Sequence, residues 1–575
     1  MICSPKICQI DKENEQETER ARAREQPKWN ESFTFHIEKS KFLQCSFEFT
    51  LKANNYWFFP SVVDTKTSTM GDVLQNQPLT FKSGEQISVY ANLNSNCIPD
   101  VQICDASELC DEESKFYTKR RSVVKEHLAQ EFPGLNDTKD VPNIAVIGSG
   151  GGLRAVVGMT GAFSALEEEH LLDYTMYCAG VSGSAWYCST LYATDENGIN
   201  PKGMKEHLKQ CLPAHYLSEA LEIAEALEIA ETGAKTRRST DDFTLTDWYA
   251  RFVGDILLGK GNSCKWSDQR EKLEEAKIPF PLLAAVHIRD DESSDQFNEW
   301  IEISPYEVFM PKYGTGIDLK NFGSEFENGL VSTEYGEPPL YFLQGICGSA
   351  YEIYTEFRSK SYAVHEVSTF VRDDVIATVP NWLYGINEVR QIGAGKGAEV
   401  SSKTNTDDVL DNKKRTIMLT DAGIVFNSPY PLILNPARNI DLILSFEFSE
   451  PGKVENWPFG ELEKAAKWAK DRQIPFPNLD KGKEGNIRGM YVFESPDSPT
   501  IMHFVLLDKS DQNTSQKGVP ALTKKNIFDY YDTKKFAYSH EDIEWLSELV
   551  ASNVKDNSRT IRKFIAKAIQ KRTNC

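Results

Sequence analysis

IAVIGSGGGLRAVVGMTGAFSALEEEHLLDYTMYCAGVSGSAW, residues 144–186, is the stretch that decides the fold. A β-branched apolar run, Ile144 to Ile147, ends in glycines at 148, 150, 151 and 152. A helix-like segment, Ala155 to Glu169, follows. A second apolar run, Tyr177 to Val181, then delivers Ser182 between Gly180 and Gly183. The reading is strand, glycine turn, helix, strand, serine turn, and it predicts an α/β protein.

The two turns carry chemistry. Glycine lacks a Cβ, so the N–H groups of Gly151 and Gly152 can approach a ligand oxygen closely. At a helix N-terminus such donors face a developing negative charge, as an oxyanion hole requires. Ser182, flanked by glycines, fits a tight strand-to-helix elbow that exposes a nucleophilic hydroxyl. The pattern departs from G-x-S-x-G at its last position, which is Ser184. Two other readings share these residues. Gly150 to Ala155 fits a relaxed G-x-G-x-x-A dinucleotide fingerprint, which would make the chain an oxidoreductase. A serine between glycines also serves as a plain turn. A phosphate-binding P-loop is disfavoured because no Gly-Lys-Ser/Thr follows.

GSGGGLRA, GVSGSAWYCSTLYA and LTDAGIVFNSPYPLIL (419–434) resemble the cytosolic (group IV) phospholipase A2 family. So do ISPYEVFMPKYGTGI (303–317) and FGSEF (322–326), and the likeness spans roughly residues 97–540. The resemblance implies a patatin-like three-layer α/β catalytic domain, with a central mixed sheet, helices on both faces and cap or lid insertions. It implies Ser182 as nucleophile and Asp421 as its base, with Gly151 and Gly152 as oxyanion hole. Arg154 matches the family's arginine near the substrate phosphate, and guanidinium suits phosphate. The implied reaction is hydrolysis of a glycerophospholipid acyl ester through an acyl-serine. The same site supports transacylase or lysophospholipase activity. A catalytically idle lipid-binding scaffold is the alternative from another class.

Composition bounds these readings. The chain has 575 residues, 40% of them hydrophobic, with 64 basic against 85 acidic side chains and a net charge of −21. That excess of acid argues against nucleic-acid binding and leaves room for local basic membrane patches. The twelve cysteines form no C-x-x-C framework, which suits reduced thiols. With no signal-like segment and no long apolar run, the expected place is the cytoplasm, with peripheral recruitment to membranes. The chain is expected to be monomeric.

Residues 9–26 are highly charged and read as a solvated helix or an unstructured lead. From Trp29 to about Ser95, SFTFHI and SFEFTL alternate apolar and polar residues, the period of half-buried strands. PKWNESFTF resembles the middle of a C2 domain, so residues 27–96 are expected to form a truncated C2-like segment. About 70 residues remain where such a sandwich needs roughly 100. By resemblance, an aspartate of the third calcium loop is replaced by Ala53, and an asparagine by Gln26. Calcium needs several hard oxygen ligands, so little calcium binding is expected here, and the chemistry is expected to need no cofactor. Trp57 and Phe58, with Tyr56 and Phe59, sit where that loop meets lipid. Their other use is as core residues.

Further on, KGAEVSSKTNTDDVLDNKK (396–414) reads as a polar loop shortly before Asp421, either a lid or a surface insertion. Lys413, Lys414 and Arg415 are candidates for an anionic-lipid surface. His503 and His540 would complete a serine–histidine–aspartate triad in chain order, but His503 lies in an apolar run and His540 in a helix-start pattern. At the end, KDNSRTIRKFIAKAIQKR (555–572) puts Ile561, Phe564, Ile565, Ala568 and Ile569 on one helical face. Lys555, Arg559, Arg562, Lys563, Lys567, Lys571 and Arg572 give seven positive charges against one acid, Asp556. Such a helix reads as a membrane-surface element for anionic lipids or phosphoinositides. Its competing use is an ordinary terminal helix packed on the core.

Overall fold

The computed structural model describes residues 2–9, 12–15, 46–54, 60–69, 79–80, 86–87 and 100–103. It then describes 108–574 apart from 136, 196–197, 213–244, 260, 289–298, 349–376, 387–411, 451–455, 481–486, 508–523, 534 and 536. Strands β1 (Ile2–Gln9), β2 (Lys12–Glu15), β3 (Ser46–Asn54) and β4 (Pro60–Thr69) form an antiparallel sheet in the order β2-β1-β3-β4. This corrects the reading of the N-terminus. Part of the charged lead is strand, with Gln9 paired to Lys12 and Lys6 to Glu15. The sheet therefore begins at residue 2, because β1 lies against β3 from Ile2↔Lys52 to Cys8↔Ser46. Backbone pairing overrides the low apolar content of β2. Strands β5 (Leu79–Thr80) and β6 (Gln86–Ile87) make a short separate hairpin.

The large sheet is mixed. Its strands are β7 (Val101–Ile103), β8 (Ile144–Gly148), β9 (Thr175–Gly180), β10 (Phe280–Ile288), β11 (Glu299–Ile303), β12 (Glu307–Met310) and β13 (Thr315–Asp318). After the hairpin β14 (Glu325–Glu327) and β15 (Leu330–Thr333) come β16 (Ala377–Pro380), β17 (Thr416–Asp421), β18 (Leu442–Glu447), β19 (Met490–Phe493) and β20 (Thr500–Val505). The order is β19-β20-β18-β8-β9-β10-β11-β12-β13-β7, with β17 and β16 joined beside β10. The run from β20 to β10 is parallel. Strands β8, β9, β10 and β18 are buried along their whole length, which is why they read as continuous apolar runs rather than alternating ones.

Two pairings on β10 place the site. β9 runs beside the first half of β10, ending at Gly180↔Leu283. β11 takes the other edge, from Leu283↔Ile303 to His287↔Glu299. β17 pairs with Ala285 to Ile288 and must therefore use the edge that β9 has left. The C-terminal ends of β9 and β17 thus meet head to head, and Ser182 follows one while Asp421 ends the other.

Helix α1 (Asp111–Glu131) starts at Cys110, α2 (Leu153–Glu168) at Gly152 and α3 (Gly183–Thr194) at Ser182. Later come α4 (Leu340–Gly348), α5 (Gly460–Asp471), α6 (Lys524–Tyr530) and α7 (His540–Thr573). α3 packs on β9, β10 and α4, whereas α7 lies along α2. Among the described residues no helix is long and apolar enough to cross a membrane.

Candidate active site

The glycine turn sits between β8 and α2. Gly152 has φ 59° and ψ −142°, a conformation open to glycine and strained for other residues. Among the described residues the Gly151 and Gly152 amides donate to no partner, so both are available to an incoming oxygen. Ser182 takes φ 52° and ψ −125°, the strained backbone of a nucleophile elbow. The elbow presses on the turn, since a Cβ on Gly183 would lie 2.1 Å from the Gly152 carbonyl oxygen. Ser184, the departure from G-x-S-x-G, fastens the two together. It is buried, and its hydroxyl donates to the Ser149 carbonyl at 2.6 Å.

Asp421 is buried at the end of β17. Gly423 N–H donates to its Oδ1 at 2.7 Å. Burial pushes its pKa from 3.8 to about 7, while the Gly423 amide and the Ser182 hydroxyl pull in the opposite direction. The Ser182 hydroxyl thus stands near a carboxyl poised near neutrality.

Sequence reading missed Asn427, six residues beyond Asp421. Its side chain clamps the peptide before Gly151 and Gly152 from both sides. Gly150 N–H donates to Asn427 Oδ1 at 3.0 Å, and Asn427 Nδ2 donates to the Gly150 carbonyl at 3.1 Å. Nδ2 also donates to Ser449 Oγ at 2.8 Å, and the backbone N–H of Asn427 goes to Glu461 at 2.5 Å. The same side chain lies beside Gly423, so one residue touches both the glycine turn and the turn that holds Asp421. Its amide offers a donor and an acceptor at once. In the sequence the signal is a polar residue directly after the apolar run GIVF.

Arg154 differs from the phosphate-gripping expectation. It is only 1% exposed. Its Nε donates to the Phe448 carbonyl at 2.9 Å and Nη1 to the Tyr531 carbonyl at 2.6 Å, and its guanidinium lies 5.0 Å from the Phe528 ring centre. Burial lowers its pKa. Among the described residues no carboxylate lies within ion-pair distance, while Nη2 is 3.3 Å from where a Cβ on Gly151 would stand. The charge lies beside the glycine turn.

Neither histidine completes a triad. His503 is buried in β20, its Nε2 2.9 Å from the Pro458 carbonyl, and burial lowers its pKa to about 4. His540 opens α7 with Nε2 2.8 Å from the Lys209 carbonyl.

The remaining expected residues are scattered. Lys413, Lys414 and Arg415 are exposed at the start of β17, with Arg415 over the Tyr384 ring at 4.5 Å. Trp57, Phe58 and most of the 396–414 loop lie outside the described residues. The C-terminal helix corrects its reading. Ile561, Phe564, Ile565 and Ala568 are buried in the core rather than offered to lipid. Four of the seven cations are paired: Lys555 with Glu168 at 2.9 Å, Arg562 with Glu131 at 2.8 Å, Lys567 with Glu494 at 3.0 Å and Arg572 with Asp441 at 2.6 Å. Arg559, Lys563 and Lys571 remain exposed.

An elbow serine and a buried aspartate, beside two open glycine amides on a mixed α/β sheet, make a candidate hydrolase site. The family model of the lysophospholipase catalytic domain matches residues 144–483. The chain belongs to that family, in its cytosolic (group IV) phospholipase A2 branch, and is a phospholipase enzyme by that membership. It is 29% identical over 595 residues to mouse cytosolic phospholipase A2 zeta, covering 89% of this chain and 68% of that protein. The human GIVD cytosolic phospholipase A2 shares the fold, with a TM-score of 0.70 at 22% identity over 99% of this chain and 79% of the other. The same human enzyme in complex with methyl gamma-linolenyl fluorophosphonate superposes with a TM-score of 0.63 at 21% identity, over 99% and 95% of the two chains.

Proposed function

We propose that the chain hydrolyses the fatty acyl ester of glycerophospholipids through Ser182 and Asp421. Ser182 Oγ attacks the ester carbonyl as Asp421 takes its proton. The carbonyl oxygen becomes an oxyanion held by the Gly151 and Gly152 amides, and each such donor contributes about 2.7–4 kcal/mol in comparable sites. Collapse breaks the bond to the glycerol oxygen, which leaves as lysophospholipid with the proton from Asp421. Water, deprotonated by Asp421, then attacks the acyl-serine and releases the fatty acid. An alcohol or amine in place of water makes the same site a transacylase. Arg154, buried beside Gly151, adds positive potential to the oxyanion in a low-dielectric setting.

The observation that carries this reading is the arrival of Ser182 and Asp421 at one edge of β10, with the Asp421 carboxyl raised to about 7. Recruitment to anionic lipid surfaces belongs to the same proposal. It rests on exposed charge alone, at Arg559, Lys563, Lys571, Lys413 and Lys414. The test is release of labelled fatty acid from phospholipid vesicles. Ser182→Ala and Asp421→Asn should each lower it by roughly 10⁴-fold or more. Turnover retained by the serine variant would refute the reading. Failure of a fluorophosphonate probe to label Ser182 would favour an idle lipid-binding scaffold.

A further inference from the structure

The segment after α6 crosses the glycine turn and carries a feature that the hydrolytic chemistry does not use. The Thr533 carbonyl oxygen lies 3.0 Å from where a Cβ on Gly152 would stand, and the Tyr531 carbonyl accepts from Arg154. At this crossing three tyrosine rings surround one ammonium. Lys535 Nζ is 3.8 Å from the ring centre of Tyr530, 5.1 Å from that of Tyr538 and 5.5 Å from that of Tyr531. The rings brace one another: Tyr531 meets Tyr530 at 5.0 Å and Tyr538 at 5.3 Å, and it stacks on Trp545 at 5.9 Å.

Asp542 is the fourth wall. Its Oδ1 accepts from the Tyr530 hydroxyl at 2.7 Å, and its Oδ2 lies 3.4 Å from Lys535 Nζ. The capping box at the start of α7 fixes this carboxylate. Tyr531 and Tyr538 are buried, whereas Tyr530 is 48% exposed and the Lys535 side chain 29% exposed. The box therefore opens to solvent on the side of Tyr530. The buried Tyr538 hydroxyl has no hydrogen-bond partner among the described residues.

Aromatic faces attract cations through their quadrupoles, and several rings around one ammonium make a recognition site for alkylammonium ligands. We propose that this tyrosine box is a subsite for the alkylammonium end of a phospholipid headgroup, with Lys535 occupying it as an internal competitor. The lipid rests on the hydrolytic reading above; the cation rests on the box itself. A headgroup nitrogen that displaces Lys535 sits two residues from the carbonyl packed on Gly152, which ties headgroup binding to the oxyanion turn. A trimethylammonium group would use the three rings alone, whereas a primary ammonium would also donate to Asp542.

Calorimetric titration of the full chain with phosphocholine, phosphoethanolamine and inorganic phosphate tests this. Lys535→Met keeps the length of the side chain and removes the competing charge. It should bind at least one of the two ammonium probes about tenfold more tightly than the unaltered chain. Adding Tyr530→Ala should cancel the gain, Lys535→Arg should show none, and inorganic phosphate should bind all forms alike. The phosphocholine and phosphoethanolamine arms separate the two headgroup classes. Equal affinity with and without Lys535, a gain that survives Tyr530→Ala, or an equal gain for phosphate would each overturn the proposal. If Lys535→Met fails to fold, Tyr530→Ala alone should weaken ammonium binding to the otherwise unaltered chain, and no loss would refute the box. In mixed micelles, Lys535→Met should raise turnover of phosphatidylcholine or phosphatidylethanolamine several-fold relative to phosphatidylglycerol. Unchanged preference with turnover intact sinks the box alone. No turnover of any lipid sinks the hydrolytic reading, and the titration still decides the box.

Discussion

Residues 144–186 and residues 555–572 carry two clear sequence patterns, and the fold uses them in different ways. The first keeps its promise locally. Its glycines and Ser182 adopt the backbone that their positions suggest, φ 59° at Gly152 and φ 52° at Ser182. The second is also a helix where periodicity puts one, yet its apolar stripe meets protein instead of lipid. α7 lies along α2, the helix that starts at the glycine turn. A glycine–serine turn specifies a backbone geometry that has few other uses. An amphipathic stripe specifies only that one face is covered, and core and membrane satisfy it equally.

The largest effect that would break this comparison lies in the C-terminal helix. Ile561 is fully buried, so Ile561→Ala should cost about 2–5 kcal/mol of stability. Replacing Arg559, Lys563 and Lys571 together by alanine should change stability by less than about 1 kcal/mol, as exposed charges do. The check is denaturant unfolding of both variants, with sedimentation on anionic and neutral vesicles. The charge variant should lose anionic binding alone. If Ile561→Ala left stability unchanged and abolished vesicle binding, the stripe would face lipid and the comparison would fail.

A second prediction sharpens the other half. Asn427 holds the Gly150 peptide through two hydrogen bonds and also touches the Asp421 turn. Asn427→Ala should lower kcat by about 10²-fold through displaced oxyanion donors, with a smaller change in KM. Fluorophosphonate labelling should slow in parallel while the melting temperature stays within a few degrees. A kcat within a factor of two of the unaltered chain would show that the turn holds its shape without the clamp.

The contrast also explains what was legible in the sequence. The strands around the site were visible because parallel strands buried on both faces are apolar throughout, as in IAVIG of β8 and the Tyr177 to Gly180 run of β9. Ser182, Asp421 and the glycines could be singled out because their motifs are short and contiguous. Their meeting could be expected only through the family resemblance, since it depends on β9 and β17 sharing one edge of β10, and no local pattern encodes that register. Asn427 stayed hidden for the same reason, its partner being Gly150, distant in the chain. Arg154 was found, but its burial beneath Phe528 and Tyr531 depends on a segment nearly four hundred residues away. The strand in the charged N-terminal lead escaped because its support is backbone pairing to β1.

The smallest predicted effect is a pH dependence, and it tests whether Asp421 is the base. Burial raises its pKa to about 7. A general base must be ionised, so kcat/KM should fall roughly tenfold per unit below that value, giving an ascending limb centred near pH 7. Glu447, buried behind the turn and hydrogen-bonded by Ser149 and the Ser449 amide, is also raised to about 7 by burial. Glu447→Gln therefore serves as the control. A limb that stays near 7 in that variant belongs to Asp421, and a limb that disappears belongs to Glu447. Stability gives an independent reading of the same proton. Because the folded pKa of Asp421 lies above its ordinary 3.8, the folded state holds the proton more tightly than the unfolded chain. Its contribution to stability is greatest below 3.8 and is lost as pH rises through about 7. Asp421→Asn should accordingly melt higher than the unaltered chain at pH 8, by less at pH 5, and be inactive at both. A limb centred near pH 4, together with no pH-dependent difference in melting, would mean that water reaches the Asp421 carboxylate and that burial does not tune it.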